Sequence, residues 1–219
     1  MKKFLVTACA VCALLWVGNA WGLTITYTAD NITDTWFIQG ESGIAENLAA
    51  GSNRADWRYS DTEILNLSPG TDFSFIWSVT NFGEYSAGNP AGFLAQIDLG
   101  NDELIVTDTD WLYSVNGYDT SDFYSGAWSW GNVTEYGNNG GDNIWTNVLN
   151  QQLGISQVAG ISSDAQWIWS ANNFGDGVDK NLWIRVDVQT APVPEPSALL
   201  LFGSGLIGLA LYRRRKMDN

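Results

Sequence analysis

The chain of 219 residues has no histidine, little positive charge and only two cysteines. Without an imidazole there is no Ser-His-Asp or Cys-His relay, no H-E-x-x-H zinc site and no histidine pH switch. Between residues 23 and 192, four basic residues stand against 22 acidic ones, a formal charge of −18. Such a surface repels phosphate backbones, so we expect no nucleic-acid partner.

The N-terminus has the pattern of a secretory signal peptide. Lys2 and Lys3 precede an uncharged, mostly apolar stretch from Phe4 to Val17, and small residues then suit cleavage after Ala20 or Gly22. We assign residues 1–22 to this segment and expect export; an uncleaved anchor is the alternative. Both cysteines lie within it, so the cleaved chain has none.

The C-terminus has the pattern of a short membrane anchor. After a linker over residues 191–196, an uncharged run over 197–212 ends in the basic cluster Arg213–Lys216. Sixteen helical residues span about 24 Å, slightly less than a hydrocarbon core of about 30 Å, and snorkelling arginines can make up the difference. The sequence predicts a transmembrane helix within 197–219, its basic end in the cytoplasm.

The linker contains the triplet Pro194-Glu195-Pro196, followed by the apolar run and the arginines. Together these features resemble the PEP-CTERM sorting signal of Gram-negative bacteria. The resemblance implies that an exosortase, a membrane protease-transpeptidase, recognises the Pro-Glu-Pro triplet while the protein is anchored in the inner membrane. It then removes the anchor, so that the protein reaches the cell surface or the medium. The resemblance also implies an association with exopolysaccharide and biofilm. A plain membrane anchor accounts for the apolar run but not for the Pro-Glu-Pro triplet. The sorting residues implied are Pro194, Glu195, Pro196, Arg213, Arg214 and Arg215.

Residues 23–190 show strand patterning almost throughout. Apolar residues alternate with polar ones, for example over 73–80 and 182–189, and Gly/Asn-rich turns separate the strands. A turn of helix is expected only near Gly43–Ala50. The sequence predicts an all-β fold, a single β-sandwich or jelly roll between a signal helix and a transmembrane helix.

Two segments of the body resemble each other. Residues 72–83 (DFSFIWSVTNFG) and 164–175 (DAQWIWSANNFG) agree at seven of twelve positions, and each leads into a second strand, Phe93–Leu99 or Leu182–Val188. This internal similarity indicates either a duplication or two equivalent hairpins of one sandwich. In both cases we expect the tryptophans of the two segments in the core: Trp77, Trp167 and Trp169.

Four segments of the body form a recognisable set: Thr28–Asn31, Pro90–Ile97, Thr107–Trp111 and Ala165–Ser170. They resemble segments of galactose-binding-like jelly rolls, such as those that accompany bacterial glycosidases. The resemblance implies a jelly roll over most of residues 23–190. It also suggests a sugar ligand, although many members of that class have lost sugar binding.

Carbohydrate is the first ligand class that the body suggests. Ten tryptophans lie between Trp36 and Trp183, and aromatic faces suit the C–H faces of sugars. Most large rings in a sandwich belong to the core. The candidates for exposure flank Gly/Asn-rich loops: Trp128, Trp130 and Trp145.

Calcium is the second ligand class. Crowded aspartates in loops supply the hard oxygen ligands that this ion needs, but their spacing does not match an EF-hand, and a solvated acidic surface is the favoured alternative. No other cofactor is predicted. The candidate ligands are Asp108, Asp110, Asp119 and Asp122, with a smaller group formed by Asp176 and Asp179.

Catalysis has no specific support. The sequence has neither a G-x-S-x-G elbow nor a Ser-x-x-Lys pair. A glycosidase needs only two carboxylates, so their presence among 22 acidic residues is not evidence for that activity. We therefore expect a non-enzymatic envelope or matrix protein that contacts polysaccharide. The alternatives are a structural surface protein without a sugar site and, less favoured, a carboxylate-based glycoside hydrolase.

Overall fold

The computed structural model describes residues 21–39, 46–48, 53, 55–67, 71–81, 91–100, 103–115, 128–172, 179–190, 203–205 and 213. The chain divides into two compact units, a body of residues 21–190 and a terminal unit of residues 1–20 and 191–219. In the terminal unit, the backbone of residues 203–205 and 213 is helical. The predicted signal segment lies outside the described residues except for Trp21 and Gly22, which open the first strand of the body.

The described part of the body contains twelve strands and one helix, α1 (Ile144–Leu153). The strands are β1 (Trp21–Ala29), β2 (Asn31–Gln39), β3 (Glu46–Asn47), β4 (Asp61–Leu67), β5 (Phe73–Thr80), β6 (Phe93–Asp98), β7 (Leu104–Val106), β8 (Leu112–Ser114), β9 (Gly131–Asn132), β10 (Thr134–Asn138), β11 (Gln166–Trp169) and β12 (Asn181–Val188).

The strands form two antiparallel sheets. Sheet A has the order β10-β11-β6-β1-β4, with β7 beside β6, and sheet B has the order β3-β2-β5-β12-β8-β9. Inward-facing side chains of both sheets share one core, in which Trp77 contacts Trp111 (ring centroids 5.6 Å apart) and Phe93 (5.1 Å). The predicted β-rich, sandwich-like architecture is confirmed.

The outer face of sheet A is covered by α1 and the loop after it. Trp145 and Leu149 of the helix pack with Leu94, Val158 and Trp167 in a second apolar cluster. The side chain of Asn143 caps the helix by accepting from the backbone N–H of Thr146 (2.9 Å), and Gly154 ends it with φ of 68°. This helix was not expected. A turn of helix was expected near Gly43–Ala50; of this stretch the structure describes residues 46–48, and there Glu46–Asn47 pair with β2 as strand β3 rather than forming a helix.

The two similar segments, residues 72–83 and 164–175, do not form equivalent hairpins with the strands that follow them. β5 lies in sheet B and β6 in sheet A, whereas β11 lies in sheet A and β12 in sheet B, so each first strand pairs with the second strand of the other unit. Their faces also differ: Ile76 packs on the outer face of sheet B, and Ile168 lies in the core between the sheets. Trp77, Trp167 and Trp169 are fully buried, as expected.

Candidate functional site

The outer face of sheet B carries the candidate site. Three strands contribute to it because inward and outward side chains alternate along each strand. Phe37, Phe75 and Ile184 point into the core. Their neighbours point outward: Trp36 and Ile38 from β2, Ile76 from β5, and Trp183 from β12.

Four indoles meet on this face, and we call Trp36, Trp128, Trp130 and Trp183 the outer-face tryptophan cluster. The ring centroid of Trp183 is 5.0 Å from that of Trp36 and 4.9 Å from that of Trp128. Trp130 stacks on Trp128 at 5.3 Å with an interplanar angle of 25°. The strands fix Trp36 and Trp183, whereas Trp128 and Trp130 arrive from the segment before β9.

The outer-face tryptophan cluster is half-open to solvent. Ile38 and Ile76 form a buried apolar floor, and Trp128 is 7% exposed. The other three rings are partly exposed. Indoles held on an apolar floor form a rigid aromatic surface, since their rotamers are restricted by packing.

A guanidinium lies beside the rings. The Cζ atom of Arg185 is 5.4 Å from the ring centroid of Trp130, within cation–π range. The Nε of Arg185 donates to Oδ1 of Asp187 (2.7 Å), and the same oxygen accepts from the Oγ of Ser74 (2.5 Å). The face thus combines apolar rings with donors and acceptors of hydrogen bonds.

The structure separates the three tryptophans that the sequence singled out. Trp128 and Trp130 belong to the outer-face tryptophan cluster. Trp145 is instead part of α1 and points towards sheet A, where its ring stacks on that of Trp167 with centroids 4.9 Å apart. Trp145 is 3% and Trp128 7% exposed, because each ring is packed against other indoles, so these two candidates are buried, as is more common for large rings in a sandwich. Of the three candidates, Trp130 is the one that is partly exposed.

Two members of the cluster were missed. Trp36 and Trp183 each stand between inward-facing residues of an alternating strand, which is a signal for an outward position. A large aromatic ring at such a position is a better candidate for a surface site than one beside a loop.

The described aspartates do not assemble an ion site. Asp108 Oδ1 accepts from the backbone N–H of Asp110 (2.9 Å), which closes a turn, and Asp119 and Asp122 lie outside the described residues. Asp179 Oδ2 accepts from the Oγ of Ser170 (2.6 Å), and Asp176 also lies outside. The described part of the chain holds no group of three acidic or cysteine side chains that could bind a metal ion. Calcium binding stays a prediction.

Of the predicted sorting residues, the structure describes Arg213, which is exposed; Pro194, Glu195, Pro196, Arg214 and Arg215 lie outside the described residues. Among the helices of the described part, none has the length and apolarity needed to cross a bilayer.

Comparison with known proteins identifies the C-terminal segment. Residues 192–216 match the family model of the PEP-CTERM protein-sorting motif. The chain therefore carries a protein-sorting signal of the PEP-CTERM class, which indicates an exported protein processed by an exosortase, a membrane protein. Searches of curated proteins and of solved structures found no match to the chain.

Proposed function

We propose that this exosortase-sorted protein is a non-enzymatic component of the cell envelope or extracellular matrix that binds polysaccharide. The outer-face tryptophan cluster carries the proposal. Its partly exposed indoles offer flat apolar surfaces to the C–H faces of sugar rings, and Arg185, Asp187 and Ser74 supply polar groups beside them. Sites that bind small molecules combine apolar surface with a few placed polar groups in this way.

The asymmetry between the two outer faces supports the same choice. Sheet A buries its outer tryptophan, Trp167, under α1. Sheet B leaves three outer tryptophans partly exposed. Leaving apolar rings exposed to water is unfavourable in free energy. Exposed apolar patches of this kind commonly mark binding surfaces.

The sorting tail supplies the location. We propose that a helix within residues 197–219 holds the protein in the inner membrane of a Gram-negative cell until exosortase processing releases it to the surface. The Pro-Glu-Pro triplet, the apolar run and the arginines support this sequence of events. A galactose-binding-like jelly roll for the body belongs to the same proposal and is supported by its two-sheet architecture.

Binding to a glycan array tests the proposed function. The full chain in detergent should bind at least one polysaccharide, and the double change Trp130→Ala and Trp183→Ala should weaken that binding by about tenfold or more, because stacking area is lost. Trp57→Ala is the matched control, since Trp57 is a half-buried tryptophan that contacts Trp167 in the other cluster. Absence of binding to any glycan would favour a purely structural surface protein.

A glycoside hydrolase is the less favoured alternative, and one cavity bears on it. Asp98 and Glu103, with Gly100 and Leu104, line an open cavity of about 350 Å³. Both carboxylates are exposed to solvent, whereas a general acid is usually kept protonated by burial. Turnover of a polysaccharide that Asp98→Asn or Glu103→Gln abolishes would establish this alternative.

A further inference from the structure

We infer that Arg185 and Asp187 make the outer-face tryptophan cluster selective for neutral glycans with adjacent hydroxyl groups, and against acidic polysaccharides. The inference rests on the proposed function and narrows its ligand class.

The guanidinium of Arg185 is fixed and partly open. Trp130 stacks beside it, Asp187 accepts from its Nε, and its side chain is 25% exposed. Within the described part of the chain, Nη1 and Nη2 make no hydrogen bond to protein. A planar guanidinium held in this way can donate two parallel hydrogen bonds to two neighbouring oxygens, whether those of a carboxylate or those of two adjacent sugar hydroxyls. The negative charge around it decides between these two ligands.

The carboxylate of Asp187 supplies the discrimination. Its Oδ1 accepts from both Arg185 and Ser74, and no hydrogen bond of the described residues involves Oδ2. A sugar hydroxyl can donate to that oxygen, whereas a uronate carboxylate has no proton to give and is repelled by it.

The charge of the body acts in the same direction. Asp187 offsets the positive charge of Arg185, and residues 23–192 carry a formal charge of −18. Of the other cations, Arg58 is bound by Asp56 through two hydrogen bonds. The long-range field therefore disfavours polyanions, most strongly at low ionic strength.

Binding of soluble probes to the full chain in detergent tests the inference. Hydroxyethyl cellulose and galactomannan serve as neutral probes and polygalacturonate as the acidic one, each at low and high sodium chloride. We expect binding of a neutral probe that changes little with salt, and no binding of polygalacturonate at low salt. Arg185→Gln should weaken neutral binding about tenfold, and Arg58→Gln, the matched change at an arginine away from the cluster, should not.

Asp187→Asn separates recognition from folding. It keeps the size of the side chain but removes the charge, so it should raise the affinity for polygalacturonate relative to the neutral probe. Binding of polygalacturonate by the native chain that weakens with salt and with Arg185→Gln would overturn the inference while leaving polysaccharide binding in place. Binding of no polysaccharide, here or on the glycan array, would remove the proposed function itself.

Discussion

Gly92 lies against the indole of Trp145, and this contact leaves no room for a side chain. A Cβ atom at residue 92 would be 2.7 Å from Cζ2 of Trp145, and the ring cannot retreat because it stacks on Trp167. We expect Gly92→Ala to lower the free energy of unfolding by about 1–3 kcal/mol through overpacking.

Urea denaturation of the full chain measures this change. Gly22→Ala is the control, because a Cβ atom there meets no atom within 4 Å. Both variants are made in the uncleaved chain, since Gly22 belongs to the predicted signal segment. Equal stability of the two variants would show that the region around Trp145 is less tightly packed than described.

Burial of individual residues could be predicted from the sequence only where a strand pattern carries it. Trp77 and Trp169 were correctly expected in the core from their strand context. Asn139, which is 1% exposed, was not anticipated. It donates to the carbonyl groups of Val158 and Ile161 and accepts from the N–H of Val158. Its partners lie about twenty positions away, so no local pattern indicates them.

At the scale of elements, the segment before β4 is tied to α1 by polar contacts. Arg58 binds Asp56 through Nε (2.6 Å) and Nη2 (2.7 Å), and its Nη1 donates to the side chain of Gln152 in the helix (3.0 Å). The hydrogen bond from Arg58 holds the pKa of Asp56 below its ordinary value of 3.8, although partial burial opposes the shift.

This pair predicts a pH dependence of stability. A carboxyl whose pKa is lowered by folding stabilises the folded state above its unfolded pKa, and the contribution is lost as the pH falls through the folded pKa. Asp56→Asn should therefore lower the free energy of unfolding at pH 7 by less than about 1 kcal/mol, as for a solvent-exposed ion pair.

Urea denaturation at pH 7 and below pH 3 measures the difference between native chain and variant. Asp164→Asn, at an exposed aspartate outside any described ion pair, is the control. A difference that grows as the pH falls would contradict the assignment.

The elements themselves were predictable to different degrees. Long alternating strands such as β5 and β12 follow directly from period-two patterning. Helix α1 was missed although Ile144, Trp145, Val148 and Leu149 have helical spacing between a capping asparagine and a terminal glycine. This apolar pattern covers only one short segment between glycine- and asparagine-rich stretches. It is therefore too short to indicate a helix in a body whose other segments have strand patterns.

At the scale of the whole molecule, sheet pairing decides which aromatic residues form a site. The sequence predicted a β-rich body rich in tryptophan, but pairing of β2 and β12 on either side of β5 brings Trp36 and Trp183 together. Residues so far apart in the chain become neighbours only through sheet order, which periodicity does not specify. The sorting motif, by contrast, is contiguous, so the sequence alone was enough to identify it.

The most direct test of the account concerns the sorting tail, because export and processing underlie every functional proposal. The measurement is the intact mass of the protein recovered from the envelope and from the medium. The native chain is compared with a variant in which Pro194, Glu195 and Pro196 are all changed to alanine. We predict that the native form loses its tail near residue 194 and that the variant keeps it. An intact tail in both forms, or the same truncation in both, would contradict exosortase processing at this motif.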